Sequence, residues 1–295
     1  MLEQIQKIKL CFRMLFIYLF ISMSVYNVNA QNNTQLYKTL KETKGLVALW
    51  DFSEKEGCDR ISNVNGDKLS LLEGETVIPR SNEGPLSGYS IYLSGNDYLS
   101  IPYEKTDLLN VQNNEVTVIA WIKREHKGIG FIAGMWNEHS DGGKRQYGLF
   151  ISLPHYNGRD QVCGHISQTG KPTYPFPYSI DYSASKQKVP LDEWVCVAFT
   201  YDGEFIKSYV DGVLEYREPE LINNTTGFEG YSKGLIQSKN PYHFPYGIGD
   251  NGSDFTVGGV YVKGQMGNFF KGKIGGLAVY DRALTENEVR EIADK

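Results

Sequence analysis

The sequence predicts an all-β protein built from packed antiparallel sheets. Runs such as VTVIAWIK, QYGLFISL and WVCVAFTYDG are short and rich in β-branched and aromatic residues, and Gly, Asn and Asp turns separate them. Helical periodicity is scarce between them. This density of strands and turns predicts a sandwich or a barrel. Because no Pro/Ser linker and no repeat divides the chain, we predict one domain.

The first thirty residues have the pattern of a secretory signal. Basic residues at Lys7, Lys9 and Arg13 precede the apolar run MLFIYLFISMSV, and small residues end in NVNA. We predict a signal peptide over residues 1–30, a mature chain starting at or near Gln31, and a secreted or periplasmic protein. A retained anchor is the weaker alternative, because the apolar run has about a dozen residues and a spanning helix needs roughly 20. The mature chain is therefore expected to have no stable membrane span.

Charge and cysteine content limit the partners. The 295-residue chain has 30 Lys+Arg and 35 Asp+Glu, and removing the predicted signal leaves a net charge of −7. An acidic chain without a basic block does not suit a phosphate backbone, so no nucleic-acid partner is expected. The mature chain keeps Cys58, Cys163 and Cys196, an odd number whose spacing resembles no zinc site.

Only the C-terminal end has a clear helix signature. Thr285 is a predicted N-cap with Glu288 three residues later, and Leu284 can pack on Val289. The segment ALTENEVREI is therefore predicted to be a short helix covering the sandwich.

Alternation within strands predicts which side chains face the core. In VTVIAWI one face carries Val116, Val118, Ala120 and Ile122, and in WVCVAFT one face carries Val195, Val197 and Phe199. In DQVCGHIS, Val162 and Ile166 are expected to face the core, so Cys163 and His165 face a ligand groove. The same argument puts Cys163 and Cys196 on one face and leaves a disulfide between them open.

Two aromatic segments are expected to form walls of that groove. Lys171 to Lys186 carries Tyr174, Phe176, Tyr178 and Tyr182, with prolines at 172, 175 and 177 that stiffen it. The second segment, NPYHFPYGIGDNGSD, contains Tyr242, His243 and Tyr246. Exposed aromatic clusters generally mark binding surfaces. The alternative is a long loop that packs on its own rings.

Several segments in a fixed order resemble a known family. They are GLVALWDFSEKEG, YSIYLSGNDYLSIP, VTVIAWIK, EWVCVAFTYDG, YVDGVL and GKIGGLAVYDRALTENEV. Together they resemble the LamG-like jelly roll of the concanavalin A-like lectin/glucanase superfamily from about Gly45 to Asp294. The resemblance implies a two-sheet jelly-roll sandwich over residues 45–295, with residues 31–44 as an N-terminal extension.

The resemblance leaves two functions open, because this fold hosts lectins, glycosidases and lyases. The chain is similar to secreted proteins of marine polysaccharide-degrading bacteria, some of which act on ulvan oligosaccharides as dehydratases or lyases. The E-x-D-x-x-E-like motif of the laminarinase-type glycosidases is absent. We therefore favour a carbon–oxygen lyase that performs β-elimination on an acidic oligosaccharide or polysaccharide. The alternative is a non-catalytic carbohydrate-binding module.

Elimination on a uronate needs a base, an acid and a group that neutralises the carboxylate. We predict His165 as the base or the neutralising donor, and Tyr182 or Tyr246 as its proton partner. A lone histidine is more often a hydrogen-bonded structural residue, but the aromatic segment that follows favours function. If His165 faces a groove, its replacement by Ala is expected to leave the fold intact.

Further residues are predicted to bind the substrate or a metal. The substrate set is Arg145, Trp136, Lys171, Tyr178, Tyr242 and His243. A solvated strand-end arginine is the commoner case for Arg145, and Trp136 either stacks on a sugar or covers the sheet. Structural calcium is the cofactor that the resemblance implies at Asp51. Family members commonly carry an acidic pair where this chain has Gly275 and Gly276, so one ligand is missing.

Overall fold

The computed structural model describes residues 34–111, 113–138, 142–223 and 226–294. The predicted signal peptide and its cleavage site lie outside the described residues. The described residues form two large sheets, each with eight strands. The jelly-roll sandwich predicted from the sequence is therefore confirmed.

Sheet 1 is antiparallel and takes strands from the whole length of the chain. Its strands are β1 (Leu46–Trp50), β4 (Arg80–Ser81), β5 (Ser90–Ser94), β7 (Val116–Arg124), β13 (Val195–Tyr201), β14 (Phe205–Val210), β17 (Tyr242–His243) and β21 (Lys271–Tyr280). They follow the order β17-β14-β13-β7-β21-β5-β4, and β1 also pairs with β21.

Sheet 2 faces sheet 1 and is also antiparallel. Its strands are β2 (Arg60–Ser62), β3 (Gly66–Glu73), β6 (Leu99–Ile101), β8 (Gly130–Met135), β10 (Tyr147–Leu153), β11 (Gly158–Ile166), β12 (Tyr182–Lys188) and β18 (Phe255–Val257). Their order is β12-β11-β10-β8-β18-β6-β3-β2. Strands β10, β11 and β12 also form the floor of a cavity.

Short elements complete the fold. They are the pair β15 (Glu220–Ile222) and β16 (Leu235–Gln237), the three-stranded sheet of β9 (Asn137–Glu138), β19 (Val260–Val262) and β20 (Gln265–Gly267), a 3₁₀ helix (Tyr103–Lys105), helix α1 (residues 34–42) and helix α2 (Glu286–Ala293). Neither α1 nor α2, the α-helices of the described residues, has the length and apolar character that crossing a membrane requires.

The core between the sheets follows the predicted alternation. Val116, Val118, Ala120 and Ile122 of β7 are buried in it with Val195, Val197 and Phe199 of β13. Val162 and Ile166 of β11 enter from sheet 2. Apolar burial of this kind contributes roughly 25 cal/mol per Å2, so this layer is the main source of stability.

The outer face of sheet 1 is closed by two helices, one of which the sequence analysis missed. Helix α2 has the predicted capping box between Thr285 and Glu288. Helix α1 lies in the predicted N-terminal extension, and its Leu36 and Leu40 are buried with Val289 of α2. The packed unit therefore includes residues upstream of Gly45.

Cys163 and Cys196 do not form the disulfide that the sequence left open. Both are free and buried, and Cys58 is free and exposed. Alternation correctly turns each away from the core, but β11 and β13 belong to different sheets. Their outward sides are therefore opposite surfaces of the sandwich, and the expectation of a shared face was wrong.

Candidate functional site

A cavity of about 590 Å3 lies on the outer face of sheet 2. Strands β10, β11 and β12 contribute its floor, and the segment of residues 171–181, named here the proline loop, contributes one wall. The turn between β19 and β20 contributes another. Apolar lining residues are Ile129, Phe150, Leu153, Tyr156, Pro172, Pro177 and Val262, and polar ones are Glu138, Arg145, His155, His165, Tyr178, Ser179, Tyr182, Lys263 and Asn268. Mostly apolar walls with a few polar groups are typical of ligand sites.

His165 lies on the floor of the cavity, on the face that alternation predicted. Its partner on the neighbouring strand β10 is Gly148. A Cβ added at Gly148 would lie 3.0 Å from Phe131 and 3.2 Å from Phe150. The absent side chain makes room for aromatic rings. The imidazole lies 4.9 Å from the Trp136 ring, 5.2 Å from Phe150 and 4.7 Å from Tyr182, centre to centre.

The imidazole of His165 is buried but its nitrogens are free. Its exposed fraction is 3%. Neither Nδ1 nor Nε2 has a hydrogen-bond partner among the described residues. Burial lowers the pKa of His165 well below its usual range, and the positive charges of Lys239 and Arg145 lower it further. The ring is therefore neutral at physiological pH, with one nitrogen able to accept a proton.

Arg145 lies just before β10 and is one of the positive groups of the cavity. Its exposed fraction is only 4%, so it is not the solvated strand-end arginine that is the commoner case. Nη1 donates to the carbonyl of Gly170 at 3.1 Å, while Nε has no partner among the described residues. Burial lowers the pKa of Arg145 from its very high ordinary value, but a guanidinium stays charged in proteins.

Trp136 supports the floor and does not line the cavity. Its ring is 1% exposed and contacts His165, Phe150 and the Arg145 guanidinium. Indole Nε1 donates to Glu138 Oε1 at 2.9 Å. Of the two readings for Trp136, covering the sheet fits this burial better than stacking on a sugar.

Tyr182 is a residue of β12, not of the preceding loop as expected. Its ring stacks on His165 with 26° between the planes. Its hydroxyl lies 2.5 Å from the carbonyl oxygen of His155 and 2.6 Å from that of Tyr156. Burial raises the pKa of Tyr182 well above its usual range. The phenol is thus protonated and already donates to the backbone.

The proline loop divides its rings between the cavity and its own packing. Tyr178 lines the cavity, is 38% exposed and stacks on His155 at 5.4 Å. Phe176 is buried 5.0 Å from Phe228 and 5.5 Å from Tyr231. Lys171 is exposed and does not line the cavity. Both readings of the segment, a binding wall and a self-packed loop, therefore describe part of it.

The second aromatic segment does not line this cavity, so the cleft with two aromatic walls does not form here. Tyr242 and His243 form β17 at the edge of sheet 1. The Tyr242 hydroxyl donates to Asp181 Oδ1 at 2.8 Å, which ties β17 to the proline loop. His243 is exposed, with Nε2 3.7 Å from Glu204, and Tyr246 is 72% exposed. Tyr246 is therefore not gathered with His165.

Four ionisable residues near the site are not among those that the sequence predicted. Glu138, His155 and Lys263 line the cavity, and Lys239 lies behind Tyr182. Each comes from a turn, an irregular segment or a very short strand, where no period of two or 3.6 indicates the direction of the side chain. Only the histidine of the PHYNG turn carries a residue type that suggests chemistry.

Asp51, the predicted calcium ligand, directly follows β1 and does not line the cavity. Its Oδ1 accepts from the Ser53 amide at 3.0 Å. A Cβ at Gly275 would lie 2.7 Å from Pro85, so that position packs against apolar groups. Nowhere among the described residues do three or more His, Cys, Asp or Glu gather as metal ligands. Calcium at Asp51 therefore stays a prediction that one carboxylate supports.

Comparison with known proteins finds one family model and one curated protein that match parts of the chain. A family model described as "Concanavalin A-like lectin/glucanases superfamily" matches residues 93–232, which include β11 and His165. Among curated proteins, the ATP-dependent DNA helicase RRM3 of Saccharomyces cerevisiae is 34% identical over 77 residues. That match spans 26% of this chain and only 11% of the helicase, so its activity carries no weight here.

Solved structures share the fold at low identity. Domain 4 of AbnA, a GH43 extracellular arabinanase from Geobacillus stearothermophilus, has a TM-score of 0.53 at 19% identity, with 84% of this chain and 98% of that chain covered. A Trypanosoma rangeli sialidase has a TM-score of 0.51 at 14% identity, covering 92% of this chain and 39% of that chain. The binding domain of Botulinum Neurotoxin DC has 0.52 at 9% identity, covering 85% and 51%. At these identities the likeness shows the β-sandwich fold alone.

Proposed function

We propose that the protein binds an acidic oligosaccharide in the cavity beside His165 and acts on its uronate by β-elimination, as a dehydratase or lyase. One observation carries the proposal: a neutral imidazole with two unpartnered nitrogens is buried at the floor of a ligand-sized cavity. An unsatisfied polar group in such a place costs free energy that a ligand can recover.

The carbohydrate class is supported by the structures that share the fold. The arabinanase domain was solved with arabinotriose, the sialidase with a difluoro derivative of a nonulosonic acid, and the toxin domain with SialylT. The sequence resemblance to ulvan-degrading proteins narrows the proposal to uronate-containing oligosaccharides. Exposed Tyr178, stacked on His155, offers the flat aromatic surface on which a sugar ring can pack.

The charges of the cavity favour an acidic ligand. Arg145 and Lys263 line it, and Glu138 is the carboxylate among the lining residues. Arg145 Nε is buried without a partner among the described residues, so it can donate to a ligand carboxylate. A positive group at that carboxylate would also stabilise the charge that develops when the neighbouring carbon loses its proton.

The proposed step begins when a free nitrogen of His165 takes the proton from the carbon next to the uronate carboxyl group. The C–H electron pair forms the new carbon–carbon double bond, and the bond from the next carbon to its oxygen breaks. That oxygen leaves with a proton, as water in a dehydratase or as a sugar hydroxyl in a lyase. The imidazolium formed in the first event can supply this proton, so charge and atoms balance with one residue.

Tyr182 remains the second candidate for the proton donor. Its ring is beside His165, but its hydroxyl proton is engaged by backbone carbonyls. We therefore propose that Tyr182 mainly holds the imidazole in place. The alternative function, a binding module without catalysis, is favoured by the same engaged hydroxyl, which leaves the cavity with fewer acid groups.

Incubation with ulvan, alginate and pectin oligosaccharides tests the proposal. We expect ultraviolet absorbance from a conjugated unsaturated uronate with at least one of them, and loss of that signal in a His165→Gln variant. A neutral arabino-oligosaccharide is the matched substrate control, and calorimetry measures binding in parallel. Binding without absorbance would establish the binding module, and neither signal with any substrate would refute the proposed function.

A further inference from the structure

Lys239 is a completely buried lysine that lies outside the cavity lining. It precedes β17, has an exposed fraction of 0%, and its Nζ has no hydrogen-bond partner among the described residues. Its carbonyl oxygen accepts from the Ala184 amide at 2.6 Å, which fixes its backbone beside β12. A buried ammonium without an ion pair costs several kcal/mol, so its presence calls for a physical reason.

The ammonium packs on the residue that supports His165. Lys239 Nζ lies 4.0 Å from the centre of the Tyr182 ring, a cation–π distance. The Tyr182 ring in turn stacks 4.7 Å from His165. The Tyr182 hydroxyl is held by the carbonyls of His155 and Tyr156. Lysine, phenol and imidazole therefore form one continuous set of contacts that ends at the cavity.

The groups around Lys239 leave its charge largely uncompensated. Burial raises the pKa of Cys163 to about 12, so this thiol is not an anion at neutral pH. Arg217 takes up the Glu220 carboxylate in an ion pair. Asp181 accepts hydrogen bonds from two hydroxyl groups. Burial lowers the pKa of Lys239 to about 7, as expected where no carboxylate pairs with it.

Besides Lys239, His165 has charged and titratable groups near it in the cavity lining. Arg145 is the second cation that affects its protonation. The other titratable lining groups are Glu138, His155, Tyr156, Tyr178, Tyr182 and Lys263. None of them hydrogen-bonds to the imidazole in the described structure.

We propose that Lys239 is a positioning residue for His165, whose ammonium holds the Tyr182 ring against the imidazole and disfavours protonation of that imidazole. A positive charge nearby opposes a second positive charge, so the histidine keeps the proton-accepting form at lower pH. An apolar side chain of similar size would fill the space at lower cost. Packing alone therefore does not explain a lysine at this position.

The test compares Lys239→Met with Lys186→Met. Lys186 is on the same strand as Tyr182 but exposed, so it controls for the loss of a lysine in this region. The ring signals of the five histidines are followed by NMR against pH, and His165 is identified by the signal that His165→Gln removes. We expect an upward shift of the His165 midpoint in Lys239→Met and none in Lys186→Met. An unchanged midpoint in folded Lys239→Met would overturn the proposal.

A second variant and an activity measurement keep the test decisive. Lys239→Gln removes the charge but keeps polarity, and unfolding of both variants would show that the lysine serves the fold and would overturn the proposal. With an acidic oligosaccharide substrate, the acidic limb of the kcat/KM profile should move upward in Lys239→Met. This activity arm rests on the proposed function, whereas the NMR arm does not, so the two can fail separately.

Discussion

The two outer faces of the sandwich are both apolar, yet they are closed in different ways. On sheet 1, Leu36 and Leu40 of α1 and Val289 of α2 pack over the strands. The Tyr280 hydroxyl donates to the Leu40 carbonyl at 3.2 Å, so the polar group under the helix is satisfied. On sheet 2, loops and short strands leave a cavity. Arg145 and His165 in its lining, and Lys239 behind Tyr182, each have a side-chain nitrogen without a hydrogen-bond partner among the described residues.

The difference separates structural burial from functional burial. Sheet 1 has helices that bring apolar stripes, and α2 begins with a capping box, so closure costs little. Sheet 2 buries polar groups without partners, which lowers stability and leaves donors and acceptors for a ligand. Strand alternation alone cannot distinguish the two outer faces, because the outward-facing side chains of both sheets include many apolar residues.

The largest expected effect concerns the pH dependence of stability. Burial lowers the pKa of Lys239 from 10.5 to about 7. Below pH 7 both folded and unfolded chains hold the proton and the full penalty applies, whereas between 7 and 10.5 only the unfolded chain does. Stability should therefore rise with pH over that window, by about 5 kcal/mol at most. Urea unfolding of the wild type and of Lys239→Met at several pH values measures the contribution as a difference.

That contribution should disappear in Lys239→Met and persist in Lys186→Met. If the two variants show the same pH profile, the pKa of Lys239 is not lowered in the folded chain, and its ammonium must be solvated or paired there. Lys239 would then no longer count among the unpartnered buried groups that distinguish sheet 2 from sheet 1.

The next effect tests the helix-covered face. Leu40 is completely buried, so Leu40→Ala should lower the free energy of unfolding by about 3 kcal/mol. Ligand binding at the cavity should stay unchanged, because the two faces are separated by the core. Leu108→Ala, at a leucine that is 43% exposed, is the control with little expected loss. A change in ligand affinity for Leu40→Ala would break the separation of the faces.

His165 should matter for chemistry more than for folding. His165→Gln keeps a polar side chain and should lower turnover by about 100-fold or more, the scale of a positioned proton-transfer group. Because the ring packs on three aromatic rings, Ala should also cost stability, contrary to the expectation for a groove residue. Steady-state kinetics and thermal unfolding of both variants separate these losses. Full turnover in a folded His165→Gln protein would move the chemistry elsewhere.

The smallest expected effect distinguishes two roles of Tyr182, which are positioning His165 and donating a proton. Tyr182→Phe removes the hydrogen bonds to the carbonyls of His155 and Tyr156 and should cost about 1–2 kcal/mol of stability. If the ring only holds His165, turnover should fall less than tenfold. A loss as large as that of His165→Gln would instead make Tyr182 the proton donor. Tyr246→Phe, at an exposed ring outside the cavity, is the matched control and should keep full activity.

Prediction from sequence worked where the strand period of two applies. It gave the core side of β7, β11 and β13 and the outward face of His165, whereas the two-sheet sandwich followed from the family resemblance. It also located α2 through its capping box. Alternation is local, however, so it could not show that Cys163 and Cys196 belong to different sheets. The positions of Tyr242, Tyr246 and Lys239 depend on long connections whose paths no local pattern encodes.

The anchoring of the proline loop has a consequence for changing specificity by directed evolution. Asp181 accepts hydrogen bonds from Thr173 within the loop and from Tyr242 on sheet 1. Pro177 and Tyr178 lie between Thr173 and Asp181, Pro172 directly precedes Thr173, and all three line the cavity. Libraries that vary Pro172, Pro177 and Tyr178 and keep Thr173, Asp181 and Tyr242 can therefore change the cavity wall without removing the hydrogen bonds that anchor the loop. The sheets beneath it need no compensating change.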